Sequence, residues 1–361
     1  MLEVADIVRL HGAAYREQFG AQLSAPQKRA LHDIENCRTP FFGGHVYQCD
    51  GCSEKVYSYH SCSNRHCPKC HSTHTQRWLN QQKSRMLACA YYQVTFTLPS
   101  ELRPLARSHP KTVYGLLMKA AAEALLKILR DPRYLGARPG CLAVLHTWTR
   151  AMLFHPHVHM LVTAGGVSSD GRWIPPRHPR FLVPEKPLAQ IFRAKLCAAL
   201  KKAGLLVNVP AHVWNNDWVV DCQHAGRGDA VLRYLARYLF RVAIANSRLE
   251  RIQDGQVTFR YRDNRTQQIR HCTLSGVEFL HRFLQHVLPP RCSKVRYYGI
   301  WSPRCRSQLD LARTQCDTPA PALRSEPPQA EPLASPARCP RCRSGNLILI
   351  GVLAPQRSRS P

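Results

Sequence analysis

Acidic residues are scarce in this chain: 23 Asp and Glu stand against 51 Lys and Arg among 361 residues, a formal net charge of +28. A globular protein tolerates that self-repulsion most readily when its partner is a polyanion, with nucleic acid the default and an anionic membrane surface the alternative. Long hydrophobic runs are lacking as well. No stretch approaches the ~20 consecutive apolar residues that a membrane span needs, so the membrane reading has no support. The opening MLEVADIVRLHGAAYREQFG carries acidic residues early and no apolar core of a secretory leader, and a cytoplasmic location is expected. HExxH, the helical signature of zinc hydrolases, is also missing.

Apolar residues make up 44% of the chain, ordinary for a globular protein, and the length allows more than one domain. Cysteine is abundant, at sixteen residues. Without a leader this favours metal ligation in a reducing compartment over a disulfide framework. CDGC at 49–52 and CPKC at 67–70 are two CxxC knuckles with fourteen residues between them. Two such knuckles supply the four thiolates of a tetrahedral zinc site, so Cys49, Cys52, Cys67 and Cys70 are expected on one ion. Cys37, Cys62, His45, His66, His71 and His74 are left over, and a second zinc using some of them fits the spacing. The alternative, free buried cysteines in a small domain, is the weaker reading, because residues 37–74 contain too little apolar sequence to form a core without metal. CPRC at 339–342 offers only two thiolates; Cys305 and Cys316 stand across a flexible stretch, and a degenerate knuckle is the plainer reading.

The coarse organisation follows from pattern. Residues 1–33 read as a helical segment and 34–80 as a zinc-binding module, with DNA binding its expected task given Arg38, Lys55, Arg65, Lys69 and Arg77. YYQVTFTLP (91–99), CLAVLHTW (141–148) and VTFRYRD (257–263) read as strands, KTVYGLLMKAAAEALLKIL (111–129) and LAQIFRAKLCAALKKAG (188–204) as helices, the second stopped by Gly204. A third helix carries AVLRYLARYLFRVAI, with Asp229 as its N-cap. Residues 313–338 form a Pro-rich linker, and 339–361 a short tail with CPRC. Irregular connections between these elements argue for an α+β domain with a mainly antiparallel sheet over 90–305.

HPHVHMLVTAGG, residues 155–166, places His155, His157 and His159 at alternate positions of a strand, hence on one face. A His-apolar-His pair can hold a divalent ion through two imidazoles, with a third ligand from elsewhere. Alone the signal is weak, because histidines two apart are common on solvated strand faces. The helix downstream strengthens it. At 100° per residue, Val231, Leu232, Leu235, Leu239 and Val242 make its apolar face, while Arg233, Arg237 and Arg241 form a basic stripe suited to phosphate. Tyr234 and Tyr238, four apart, fall on the border between the two and present their phenols side by side. The bland alternative is a pair of border tyrosines with rings inward and hydroxyls outward.

Taken together these stretches resemble the HUH (His-hydrophobic-His) endonucleases, and more closely the two-tyrosine transposases of rolling-circle insertion sequences, the IS-ninety-one-like group. CRTPFFGGHVYQCDGC, SCSNRHCPKC, VTFTLP, VLHTW, HPHVHMLVTAGG, RYLARYLFRVAIANSRL and VTFRYRDNRT match in the expected order over about residues 28–305. The resemblance implies that His157-Val158-His159 is the HUH motif and that Tyr234 and Tyr238 are the nucleophiles. It places Cys37, His45, Cys49, Cys52, Cys62, His66, Cys67 and Cys70 in the family's zinc-binding segment. His155 is a candidate third ligand of the catalytic metal, beside a Glu, Asp or Gln from another element. A nuclease domain with a central antiparallel sheet is implied, with the histidine strand near its middle and the tyrosine helix across it. The expected cofactors are Mg²⁺ or Mn²⁺ for catalysis and one or two structural Zn²⁺. The expected substrates are single-stranded DNA at element ends and target DNA, nicked and rejoined through a 5′-phosphotyrosyl link. Rival readings are a rolling-circle replication initiator or relaxase, a zinc-dependent DNA-binding protein without catalysis, and an inactive relative.

Overall fold

A computed structural model describes residues 2–70, 82, 86–227, 231, 243–263, 266–316 and 337–356. In chain order the described strands are β1 (Gly44–Cys49), β2 (Lys55–Tyr59), β3 (Ala90–Thr97), β4 (Gly140–Trp148), β5 (Phe154–Thr163), β6 (Gly166–Val167), β7 (Trp173–Ile174), β8 (Val220–Arg227), β9 (Leu249–Gln253), β10 (Gln256–Arg262), β11 (Ile269–Ser275), β12 (Val295–Gly299) and β13 (Leu347–Leu353). The described helices are α1 (Val4–Phe19), α2 (Ala25–Glu35), α3 (Arg103–Ser108), α4 (Pro110–Leu129), α5 (Glu185–Lys202), α6 (Gly276–Leu284) and α7 (Arg306–Gln315). The chain divides into two units, one of residues 1–73, 244–287 and 322–361, the other of 74–243 and 288–321. Helices and antiparallel sheets are mixed throughout, so the α+β expectation holds.

The second unit is built on a five-stranded sheet of order β12-β4-β5-β3-β8, every neighbouring pair antiparallel. Its histidine strand, β5, is the central one. Alternation gives each strand two faces. Tyr92, Val94 and Phe96 of β3, Ala143 and Leu145 of β4, and Val158, Met160 and Val162 of β5 point to one side, where α3, α4 and α5 bury them. Phe96 meets Phe192 of α5 edge to face at 5.0 Å, and Phe192 meets Trp218 at 5.3 Å. On the opposite face a smaller cluster of Tyr91, Leu142, Val144, Leu161, Ile300 and Trp301 covers one end and includes the buried Val231. Helix α5 ends where Gly204 takes a left-handed φ of +69°, as the sequence implies.

In the first unit α1 and α2 form a helical pair, each opened by a reciprocal capping box, Glu3 with Asp6 and Ser24 with Gln27. Helix α1 also packs on α6. That approach needs Gly276, because a β-carbon there would lie 2.1 Å from the His11 ring. The meander β9-β10-β11 precedes α6, and Phe259 meets Phe279 at 6.0 Å.

Two boundaries differ from the sequence expectation. Residues 244–287, expected within the nuclease domain, group with the N-terminal helices. The C-terminal tail, expected to stand apart, adds β13 to β1, giving a sheet of order β13-β1-β2. A strand whose partner lies some 300 residues away in sequence leaves no local pattern to betray the pairing.

Candidate metal centre

Three imidazoles converge on the face of the sheet away from α4 and α5. His157 and His159 come from β5, and His146 comes from β4, where it pairs directly with His157. Ring centroids are 5.4 Å apart for His146 and His157, 4.9 Å for His146 and His159, and 4.7 Å for His157 and His159. One ligand nitrogen from each falls within 4.8 Å of the others. Antiparallel register produces this directly, because paired residues on neighbouring strands share a face.

Hydrogen bonds orient two of the rings. His157 Nδ1 lies 2.7 Å from the carbonyl oxygen of His155, so Nδ1 carries the proton and the Nε2 lone pair is left for a cation. His159 Nδ1 lies 3.0 Å from Thr95 Oγ1 on β3, and the Gln93 amide reaches the same nitrogen at 3.0 Å. These two contacts hold the His159 ring through Nδ1. Burial lowers the His157 pKa to about 4, against the opposing effect of its hydrogen bond to the His155 carbonyl. The imidazole is therefore neutral near pH 7, as a metal ligand must be. A set of three imidazoles fits a divalent cation.

His155 does not join them. Arg103, the first residue of α3, places Nη2 2.8 Å from His155 Nδ1. Burial, and secondarily the Arg103 charge, lower the His155 pKa. The third imidazole is His146 instead, and among the described residues no carboxylate belongs to the group. The sequence displayed His146 inside VLHTW, but a lone histidine in a strand announces a ligand only when the strand's partner is known. Beside it, Trp148 stacks on the His146 ring at 4.9 Å and Lys294 sits 5.0 Å over the indole. Tyr234, Tyr238, Arg233, Arg237 and Arg241 lie outside the described residues.

The cysteines of the first unit form two groups of four, Cys37 with Cys62, Cys67 and Cys70, and Cys49 with Cys52, Cys339 and Cys342. In the first, Cys70 Sγ is 3.6 Å from the sulfurs of both Cys37 and Cys62. The expectation that 49–52 and 67–70 share one ion is thereby corrected. Each knuckle has its own partners, because β1 and β2 carry the CDGC turn to one end of their hairpin while the CPKC turn lies by Cys37, just after α2. Neither His45 nor His66 belongs to either group among the described residues; the His45 ring packs on His60 at 4.9 Å. His71 and His74 lie outside the described residues.

Comparison with known proteins fits both constructions. Residues 140–308 match the family Y2_Tnp, described as "Putative transposase", and residues 7–98 match the family Zn_Tnp_IS91, the transposase zinc-binding domain. "Putative transposase y4qJ" of Sinorhizobium fredii is 39% identical over 98% of this chain and 97% of its own length. The chain belongs to the IS91/IS801-type transposases. A second relative, the transposase for insertion sequence element IS801 of Pseudomonas savastanoi pv. phaseolicola, is 29% identical over 78% of this transposase and 74% of its own length. The Y2_Tnp match begins at β4, so it takes in all three imidazoles. The zinc-domain match takes in Cys37, Cys49, Cys52, Cys62, Cys67 and Cys70 but stops far short of Cys339 and Cys342. Structural zinc and a DNA partner follow for this transposase. Among the described residues no helix is long and apolar enough to cross a membrane.

Proposed function

We propose that this transposase nicks and rejoins single-stranded DNA at the ends of its element, with Tyr234 and Tyr238 as nucleophiles beside a divalent cation held by His146, His157 and His159. The observation that carries this reading is the triad of imidazoles brought together on one face of the two neighbouring strands β4 and β5, with His157 and His159 held through Nδ1 by the His155 carbonyl and Thr95. Val231 supports it: this residue, three before Tyr234, is buried in the apolar cluster on the same face of the sheet.

A bound Mn²⁺ or Mg²⁺ would act as a Lewis acid on a non-bridging oxygen of the scissile phosphate, and three imidazoles favour Mn²⁺ on grounds of ligand softness. The residues do the rest. A phenol of ordinary pKa, about 10, is a poor nucleophile at neutral pH. Arg233, Arg237 and Arg241 supply positive charge that favours the phenolate and neutralises charge growing on the phosphate. Tyrosine oxygen bonds to phosphorus as the bond from phosphorus to the 3′ oxygen breaks. The leaving 3′ oxygen takes up a proton, and the 5′ phosphate stays on the tyrosine. Because the phosphodiester is exchanged rather than hydrolysed, a free 3′-OH can reverse the reaction at a new place without ATP. A second tyrosine four residues on in the sequence permits a second cleavage while the first strand is still attached.

The reading is tested with oligonucleotides copied from the element's two ends, presented single-stranded or as duplex. Mn²⁺-dependent nicking confined to the single-stranded form is expected. Binding of both forms with no nicking of either, by protein loaded with zinc and Mn²⁺, would turn the assignment to a DNA-binding protein without catalysis.

A further inference from the structure

Cys49 and Cys52 share their sulfur group with two cysteines that no zinc-domain match includes, Cys339 and Cys342. Cys49 Sγ is 3.6 Å from Cys342 Sγ, and Cys52 Sγ is 3.8 Å from Cys339 Sγ. A zinc ion with four thiolates at ~2.3 Å in a tetrahedron sets its sulfurs about 3.8 Å apart. A disulfide would bring them to about 2.05 Å. The spacing is that of four ligands around one ion.

The two turns that carry these sulfurs repeat one another. In the first, the carbonyl of Cys49 accepts the N–H of Ser53 at 3.0 Å, and Ser53 has φ +56°. In the second, the carbonyl of Cys339 accepts the N–H of Arg343 at 2.9 Å, and Arg343 has φ +60°. Each turn also donates a backbone N–H to a sulfur, Gly51 to Cys49 at 3.4 Å and Gly345 to Cys342 at 3.3 Å. Such donors stabilise thiolates. The turns press face to face at Gly345, where a β-carbon would stand 2.4 Å from Cys49 Sγ and 3.0 Å from the Gly51 nitrogen. Asp50 closes the contact by accepting the Asn346 N–H at 2.7 Å, and Arg341 pairs with Glu54.

We infer that Cys49, Cys52, Cys339 and Cys342 hold a second structural zinc that clasps the C-terminal tail onto the N-terminal zinc module, so that the module is complete only when the last strand is present. Metal and sheet act together here. β13 is held along β1 by its ladder from Gly44 with Leu353 to Cys49 with Leu347, and the ion fastens the Cys49 end. The inference stands apart from the nuclease reading, since the four cysteines belong to the first unit and the three histidines to the second.

The test uses the full zinc-loaded chain. Native protein is treated with iodoacetamide, with and without a strong zinc chelator, and each cysteine is followed by peptide mass spectrometry. Cys52 decides the matter because its side chain is exposed, so burial alone cannot shield it. Expected are two zinc ions per chain, with Cys52 and Cys342 at least tenfold slower to react until chelator is added. A Cys339→Ser/Cys342→Ser variant should carry one zinc and leave Cys52 reactive without chelator. Gly345→Ala keeps all four thiols and should release one of two zinc ions faster to the chelator. One zinc in the wild-type chain, or prompt alkylation of Cys52 in protein carrying two, would overturn the inference.

Discussion

His146 of β4 lies directly opposite His157 of β5, and the two rings meet edge to face with centroids 5.4 Å apart. This cross-strand pair converts a two-histidine motif into a three-imidazole site, with His159 two residues further along the same strand. It also leaves His155 to Arg103. The number of imidazoles brought together therefore follows from strand register rather than from the run of histidines in one strand.

Replacing His146 tests that assignment. His146→Ala should abolish tight Mn²⁺ binding and slow nicking by about a hundredfold or more, given that a metal supplies several kcal/mol to such a transition state. His155→Ala should leave Mn²⁺ affinity within about threefold. Calorimetric titration with Mn²⁺ distinguishes them; equal losses in the two variants would put His155 back among the ligands.

Thr95 acts at one remove. Thr95→Val keeps the side-chain shape but removes the hydroxyl that meets Nδ1 of His159 at 3.0 Å. Loss of such an outer partner weakens metal binding by about ten- to a hundredfold. Thermal stability should change little, since the hydroxyl is only half-buried. Unchanged Mn²⁺ affinity would show that the Thr95 hydroxyl does not orient the ring.

The Cys37, Cys62, Cys67 and Cys70 group makes a prediction of its own. Cys62→Ser should cost one zinc per chain and markedly lower the melting temperature, because structural zinc contributes directly to folding free energy. His66→Ala and His45→Ala should retain the full zinc content. Elemental analysis of the purified variants checks both, and zinc loss in either histidine variant would contradict the all-cysteine set.

Periodic features of this protein were legible in its sequence, and long-range partners were not. Alternation and composition located β3, β4, β5 and β10, and helical spacing with Gly204 located α5. The edge strand β8 escaped notice because VDCQHAGR has no regular alternation and is half solvated. Strand β12, with four half-buried residues in succession, was equally mute. At the candidate site the HUH pair was visible because its spacing is local. His146 was not, since its role depends on which strand lies beside β5. The CxxC knuckles could be recognised as metal-binding turns, but not paired: ligand spacing says how many thiolates a turn offers, while a fold decides which turns meet. For that reason the tail's CPRC read as degenerate until β13 was seen beside β1.

The most direct test of the central claim is a covalent-adduct assay. Element-end single strands, labelled at the 3′ end, are mixed with the zinc-loaded transposase and Mn²⁺ and run on a denaturing SDS gel. A labelled protein band is predicted, abolished by chelation and by Tyr234→Phe together with Tyr238→Phe, and strongly reduced by His146→Ala. A band of equal strength in the double tyrosine variant would contradict the account, as would the absence of any band when the same strands are nicked.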